Sequence, residues 1–237
     1  MSRDVGLFSQ EQSQYLIFVG LSLGVAVLVA TLYSRNSLAF RPYLGGVNPL
    51  VAIALTILLG VVLLSFLLSR GWFVIYGKEN LRGLLVSSGL AALMAVGMIL
   101  VDLKIVFPDD INKLFPESLL FYPSIAYVVE VLFHILPLSV LLIVLTFLSK
   151  SLSYERIIWP CILLVSLIEP IYQTILGLST PVPALATGYV GVHIFVINLL
   201  QLLIFRRYDF MSMYSFRLVY YLLWHIVWGY VRLRLLF

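Results

Sequence analysis

The sequence predicts an all-α polytopic membrane protein, a bundle of about seven transmembrane helices around a polar intramembrane site. Three observations predict it. Of 237 residues, 62% are hydrophobic. Only 11% are charged, where a soluble domain carries about a quarter. Seven stretches also approach the ~20 mostly apolar residues that a membrane-spanning helix needs. A soluble globular protein, a disordered chain, a collagen-like chain and a disulfide scaffold are excluded by this composition.

The expected spans follow in order. They are Tyr15–Ser34, Val47–Ser69, Gly83–Val101, Ser124–Leu148, Ile157–Leu178, Pro183–Phe205 and Tyr214–Gly229, the last continuing to Arg234. The leader of the first holds Asp4 and Glu11, and its apolar run is too long for a signal peptide, so it reads as a retained span. Asn48-Pro49 reads as a helix cap followed by proline in the first turn. Pro160 and Pro183 are expected near helix starts. The segment Asp102–Glu117 is the longest polar connection, expected to lie along the interface as a short half-helix. Residues 1–237 form a single transmembrane domain, with no soluble domain, internal repeat or low-complexity linker.

The net charge is +4. No basic tract of the kind that grips nucleic acid is present. The expected surroundings are a lipid bilayer, with a membrane peptide or protein as partner. Cys161, the one cysteine, reads as a small buried apolar residue. Positive loops tend to stay in the cytoplasm. With seven spans, one side collects Arg3, Arg70, Lys78, Arg82, Lys150, Arg156, Arg206, Arg207 and Arg217. The other collects Arg35, Arg41, Lys104, Lys113, Arg232 and Arg234. That bias favours a cytoplasmic N-terminus.

Ionisable side chains in hydrocarbon cost at least about 2.5–3.5 kcal/mol each on insertion scales. Glu130, Glu169 and all three histidines, His134, His193 and His225, nevertheless fall inside expected spans. Counting residues at about 1.5 Å each puts them in one layer, contributed by four consecutive helices. Glu130 and His134 are four apart and share a helix face. Ser166, Glu169 and Gln173 share another. Asn198 and Gln201 accompany His193, and Arg217, Tyr221, His225 and Arg232 run down one side of the last span. Pro170 follows Glu169 and Pro137 lies just past His134. A proline there frees a backbone carbonyl that the interior must satisfy. Trp224 and Trp228 flank His225 and read as packing residues.

Three chemistries suit such a layer. A carboxylate can take a proton from water while histidines orient it or hold an oxyanion. The same five residues, Glu130, His134, Glu169, His193 and His225, are alternative ligands for zinc, iron or haem. Buried Glu–His chains also form proton or ion pathways. No H-E-x-x-H, G-x-S-x-G or P-loop motif is present. Asp109-Asp110 reads as a solvated loop end.

Glu169-Pro170-Ile171-Tyr172-Gln173, then Tyr189-Val190-Gly191-Val192-His193, then His225-Ile226-Val227-Trp228-Gly229 together resemble the CPBP family. These are intramembrane proteases of the CAAX-prenyl-protease and bacteriocin-processing type. The resemblance covers the C-terminal third. Its motifs are E-E-x-x-x-R, F-x-x-x-H and H-x-x-x-N/D. It implies that Glu169 is a general base, with His193 and His225 aiding water or oxyanion. The sequence departs from it in holding one glutamate of the pair, Gln173 or Thr174 at the arginine and Gly229 at the asparagine. Asn198 is the expected substitute for that asparagine, and Gln173 and Tyr221 the expected further contacts to substrate or oxyanion. Glu130 and His134 lie outside the pattern. A scaffold or assembly factor that has kept a polar core without activity is the remaining reading.

Overall fold

The computed structural model describes residues 4–44, 46–148, 153–176 and 184–237. Among these residues, seven long helices alternate in direction. They are α1 (Asp4–Arg35), α3 (Pro49–Ser69), α4 (Asn80–Ile105), α5 (Ser118–Leu148), α6 (Tyr154–Ile171, extended by a π turn), α7 (Ala184–Arg207) and α8, which begins at Phe210. A single turn, α2 (Arg41–Leu44), lies between the first two. A 3-10 turn, Asp109–Ile111, stands where the half-helix was expected. α8 is built from Phe210–Tyr221, a π turn at Leu222–Trp228 and Gly229–Leu235.

Local sequence sets the ends. Asn48 caps α3, its Oδ1 accepting from the Leu50 amide (2.8 Å), with Pro49 where no N–H is needed. Asp209 caps α8 by accepting from the Ser212 amide (2.7 Å). Its other oxygen accepts from the Gly77 amide (2.8 Å) and the Asn80 side chain (3.0 Å), so one carboxylate pins the start of α8 to the start of α4. Pro160 lies inside α6, not at its start as expected, since the helix begins at Tyr154. Pro183, and the inner ends of the fifth and sixth expected spans, lie outside the described residues.

Among the described residues, six helices are long and apolar enough to cross a membrane: Gln12–Arg35, Pro49–Ser69, Asn80–Ile105, Ser118–Leu148, Tyr154–Ile175 and Leu185–Arg207. The protein is an all-α, multi-pass integral membrane protein. The seventh expected span forms as a helix, but its arginines and histidine keep it out of that set. Its path is fixed by two carboxylates. Asp209 meets Asn80 at one end, and Arg232 meets Asp102 at the other (2.7 Å). α8 therefore runs beside α4 along its length, and it also packs on α5 and α7.

Burial is inverted relative to a soluble protein. Leu58 and Leu93, mid-helix, are 63% and 67% exposed, while Glu130, His134, Asp102 and Arg232 are all 0% exposed. A bilayer solvates the first kind of residue and forces the second kind inward.

A candidate acid–base site on Arg217

The polar residues do not form one layer. They form three groups, and the largest is centred on Arg217 of α8. Its Nε donates to Glu130 Oε1 of α5 (2.6 Å). Its Nη1 and Nη2 donate to Glu169 Oε1 and Oε2 of α6 (3.1 and 2.9 Å), a two-pronged contact. The same guanidinium reaches Gln201 Oε1 (2.9 Å), Asn198 Oδ1 (3.3 Å) and the Tyr221 hydroxyl (3.3 Å). His134 Nδ1 lies 2.6 Å from Glu130 Oε2. Gln201 donates to Glu130 and Gln173 donates to Glu169 (2.9 Å). Four helices thus meet at one cation.

Two of the four helices, α5 and α6, are locally altered where they supply these groups. Glu130 and His134 lie in a π turn, Glu130–Ile135, just before Pro137. Glu169 and Pro170 lead into another, Tyr172–Leu176, which carries Gln173. Such turns occur often at functional sites. Pro170 has no N–H, so the Ser166 carbonyl loses its helical donor. Asn198 fills that place from α7, its Nδ2 at 3.5 Å from Ser166 O, while its Oδ1 faces Arg217. The carbonyl expected to need an interior partner has one.

The group holds two carboxylates and one guanidinium, so it carries one net negative charge unless a further proton is bound. All four carboxylate oxygens are bonded, while His134 Nε2 is buried with no hydrogen-bond partner. Glu130 and Glu169 are 0% and 2% exposed, so this arrangement is closed.

The other two histidines stand apart. His193 faces Tyr220, its Nε2 at 3.2 Å from the hydroxyl, and Tyr189 on its other side (3.4 Å). His225 sits in the π turn of α8, with Nδ1 at 2.6 Å from Asn112 Oδ1. The side chain of Asn112, not Asn198, is the carboxamide that meets His225. The helix ends are staggered. Arg217 is seven residues into α8, yet it meets Glu130, which lies eighteen residues from Leu148, the end of α5 on the same face. Among the described residues, no three or more of His, Cys, Asp and Glu are gathered so as to hold a metal ion. The five expected ligands are dispersed over the three groups, so a common zinc, iron or haem site is not assembled from them.

Two buried ion pairings are not legible in the sequence. Arg217 stands on the polar stripe of the last expected span and is counted among the charges of one face, but which carboxylates it meets is shown only by the fold. The buried pair Asp102–Arg232, with Trp228 Nε1 (2.6 Å) and the Phe107 amide (2.8 Å) also on Asp102, joins the start of the expected polar connection to the stripe of the last span. What the sequence does signal is that a cation inside a helix needs an anion at matching depth. Comparison with protein-family models, with curated proteins and with solved structures finds no match to this chain.

Proposed function

We propose that the chain is an intramembrane hydrolase of peptide bonds, with Glu130 and His134 as its acid–base pair and Glu169 and Arg217 beside them. The observation that carries this reading is the meeting, at one buried point, of two carboxylates from different helices, an imidazole and a set of N–H donors. Amide hydrolysis needs a proton acceptor for the attacking water and donors for the oxyanion. Glu130 supplies the first. Arg217, with the amide groups of Asn198 and Gln201, supplies the second in a low-dielectric setting where fixed charge acts strongly. In the step itself, the water oxygen bonds to the carbonyl carbon and its proton passes to the Glu130–His134 pair. The C–N bond then breaks as a proton passes to the nitrogen, giving a carboxylic acid and an amine. Entry of a substrate requires α5 or α6 to move from α8, and both carry their π turns there. The similarity to the CPBP family in residue types belongs to the same proposal, with Glu130 now sharing the place first given to Glu169.

A second reading is favoured by one observation, the full occupation of the four carboxylate oxygens. In it, the cluster is a buried tie that sets how four helices pack, and the protein is a scaffold without activity.

The test is cleavage of a membrane-peptide library by the purified protein in nanodiscs, with Glu130→Gln and Glu169→Gln compared. The hydrolase reading expects cleavage by wild type, and a loss of about 10²–10⁴-fold on removing the acid–base carboxylate Glu130. Absence of cleavage by wild type, with both variants merely less stable, supports the scaffold.

The orientation we propose is a cytoplasmic face at the start of α1. Arg217 and Arg232 are buried in ion pairs and do not count as loop charges. The remaining lysines and arginines stand eight against five in favour of that face.

A further inference from the structure

The connection between α4 and α5 does not lie flat at the interface. It turns inward and places Asn112, 7% exposed, against α8. The fit depends on Gly229. A Cβ there would stand 3.1 Å from Asn112 Cβ and Nδ2 and 3.2 Å from Cγ, so glycine leaves the room that the carboxamide occupies. Arg232 fastens the same connection by donating to the carbonyls of Pro108 (2.8 Å) and Phe107 (2.5 Å). Tyr122 completes the frame. Its hydroxyl accepts from the Lys113 amide (2.9 Å) and donates to Asn112 Oδ1 (3.4 Å). Its ring stacks on His225, with centroids 4.7 Å apart. Tyr221 meets the same imidazole edge-on at 4.9 Å.

Asn112 Oδ1 is an acceptor only, so the His225 nitrogen facing it at 2.6 Å must carry the proton. A neutral imidazole then has its lone pair on Nε2. That atom makes no hydrogen bond among the described residues, and the residue is partly exposed. Asn112 Nδ2, buried beside it, has no partner either.

We propose that His225 is a second proton-acceptor site, distinct from the Glu130–His134 pair, and that Asn112 is its positioning residue. Asn112 holds the ring in the Nδ1–H tautomer, the two tyrosines hold its plane, and Nε2 is presented to a protic group, a water or a hydroxyl. Tyr221 touches both His225 and Arg217, but Glu130, Glu169 and His134 take no part in the site, so it does not depend on the hydrolase reading.

The experiment uses the full chain, labelled with ¹⁵N-histidine in nanodiscs, with the three histidine signals assigned by His134→Gln and His193→Gln. Wild type is expected to show His225 protonated at Nδ1. Asn112→Ala should move the tautomer ratio toward Nε2–H by roughly three- to tenfold, the weight of one hydrogen bond. Gly229→Ala should do the same by displacing the carboxamide, while Asn112→Asp, which keeps the acceptor, should retain the wild-type tautomer. Diethyl pyrocarbonate, which acylates a free imidazole nitrogen, should modify His225 and spare the fully buried His134. A wild-type His225 protonated at Nε2 overturns the proposal without any variant. So does a ratio unmoved by both Asn112→Ala and Gly229→Ala.

Discussion

Arg217 is the residue on which most depends. It has two anionic partners, and both are nearly inaccessible to solvent. Removing one partner of a buried ion pair leaves a charge with no compensation, at about 3–5 kcal/mol. Arg217→Met is therefore expected to lower the unfolding free energy in detergent by about that amount. The triple variant Arg217→Met with Glu130→Gln and Glu169→Gln should recover much of the loss, since no net charge is then buried. Thermal unfolding of the two variants side by side checks this, and equal stability would show that the ion pairs contribute nothing. The anions Glu130 and Glu169 were legible in the sequence because carboxylates are rare within apolar runs. The cation was legible as part of the polar stripe of the last span, but its pairing was not, because Glu130 and Glu169 lie 87 and 48 residues away in sequence. Asn112 was illegible for the same reason. It approaches His225 from 113 residues away in sequence, and no local pattern carries that.

At the scale of the helix, length, caps and apolar character follow directly from the chain, as Asn48-Pro49 shows at the start of α3. The π turns do not. A run such as Glu130-Val131-Leu132-Phe133-His134 has the same propensities in either helical form, and the extra residue per turn is settled by neighbours and by Pro137. Close approach is likewise a tertiary property. Gly83 and Gly89 both lie inside α4 and look alike in sequence. A Cβ at Gly83 would stand 2.2 Å from Ser212 Oγ and 3.0 Å from Tyr208 Cβ, whereas one at Gly89 meets nothing within 4 Å. Gly83→Ala is expected to destabilise by about 1–3 kcal/mol, the usual cost of overpacking. Gly89→Ala is expected to be neutral or stabilising by up to about 1 kcal/mol, the helix-propensity gain. The pair of melting temperatures reads out whether α4 and α8 touch where Asp209 and Arg232 fasten them. Two equal shifts would argue that they do not.

At the scale of the molecule, the fold class followed from composition alone, since so few charges cannot clothe a water-facing surface. The direction of the bundle rests on how the charges divide between its faces, and burial refines that division. Arg217 and Arg232 are withdrawn into the interior, so what headgroups meet is Arg70, Lys78, Arg82, Arg156, Arg206 and Arg207 on one face among the described residues. On that face Arg206 also pairs with Glu155 (2.5 Å) and lies 4.3 Å over the Trp159 ring, an arrangement suited to the headgroup region. The other face carries Asp109 and Asp110 next to Lys113, which weakens its positive character. In the orientation we propose, the cytoplasm holds the connection between α3 and α4. Cys161 is buried at 0% exposure, so the wild-type chain provides a low background for thiol labelling. In intact cells, a membrane-impermeant maleimide should label Lys113→Cys and leave Lys78→Cys unlabelled until the membrane is permeabilised. The reverse pattern would place the Arg206 face outside and invert the bundle. Labelling of both before permeabilisation would place the two connections on one side, and α4 would then not cross the membrane.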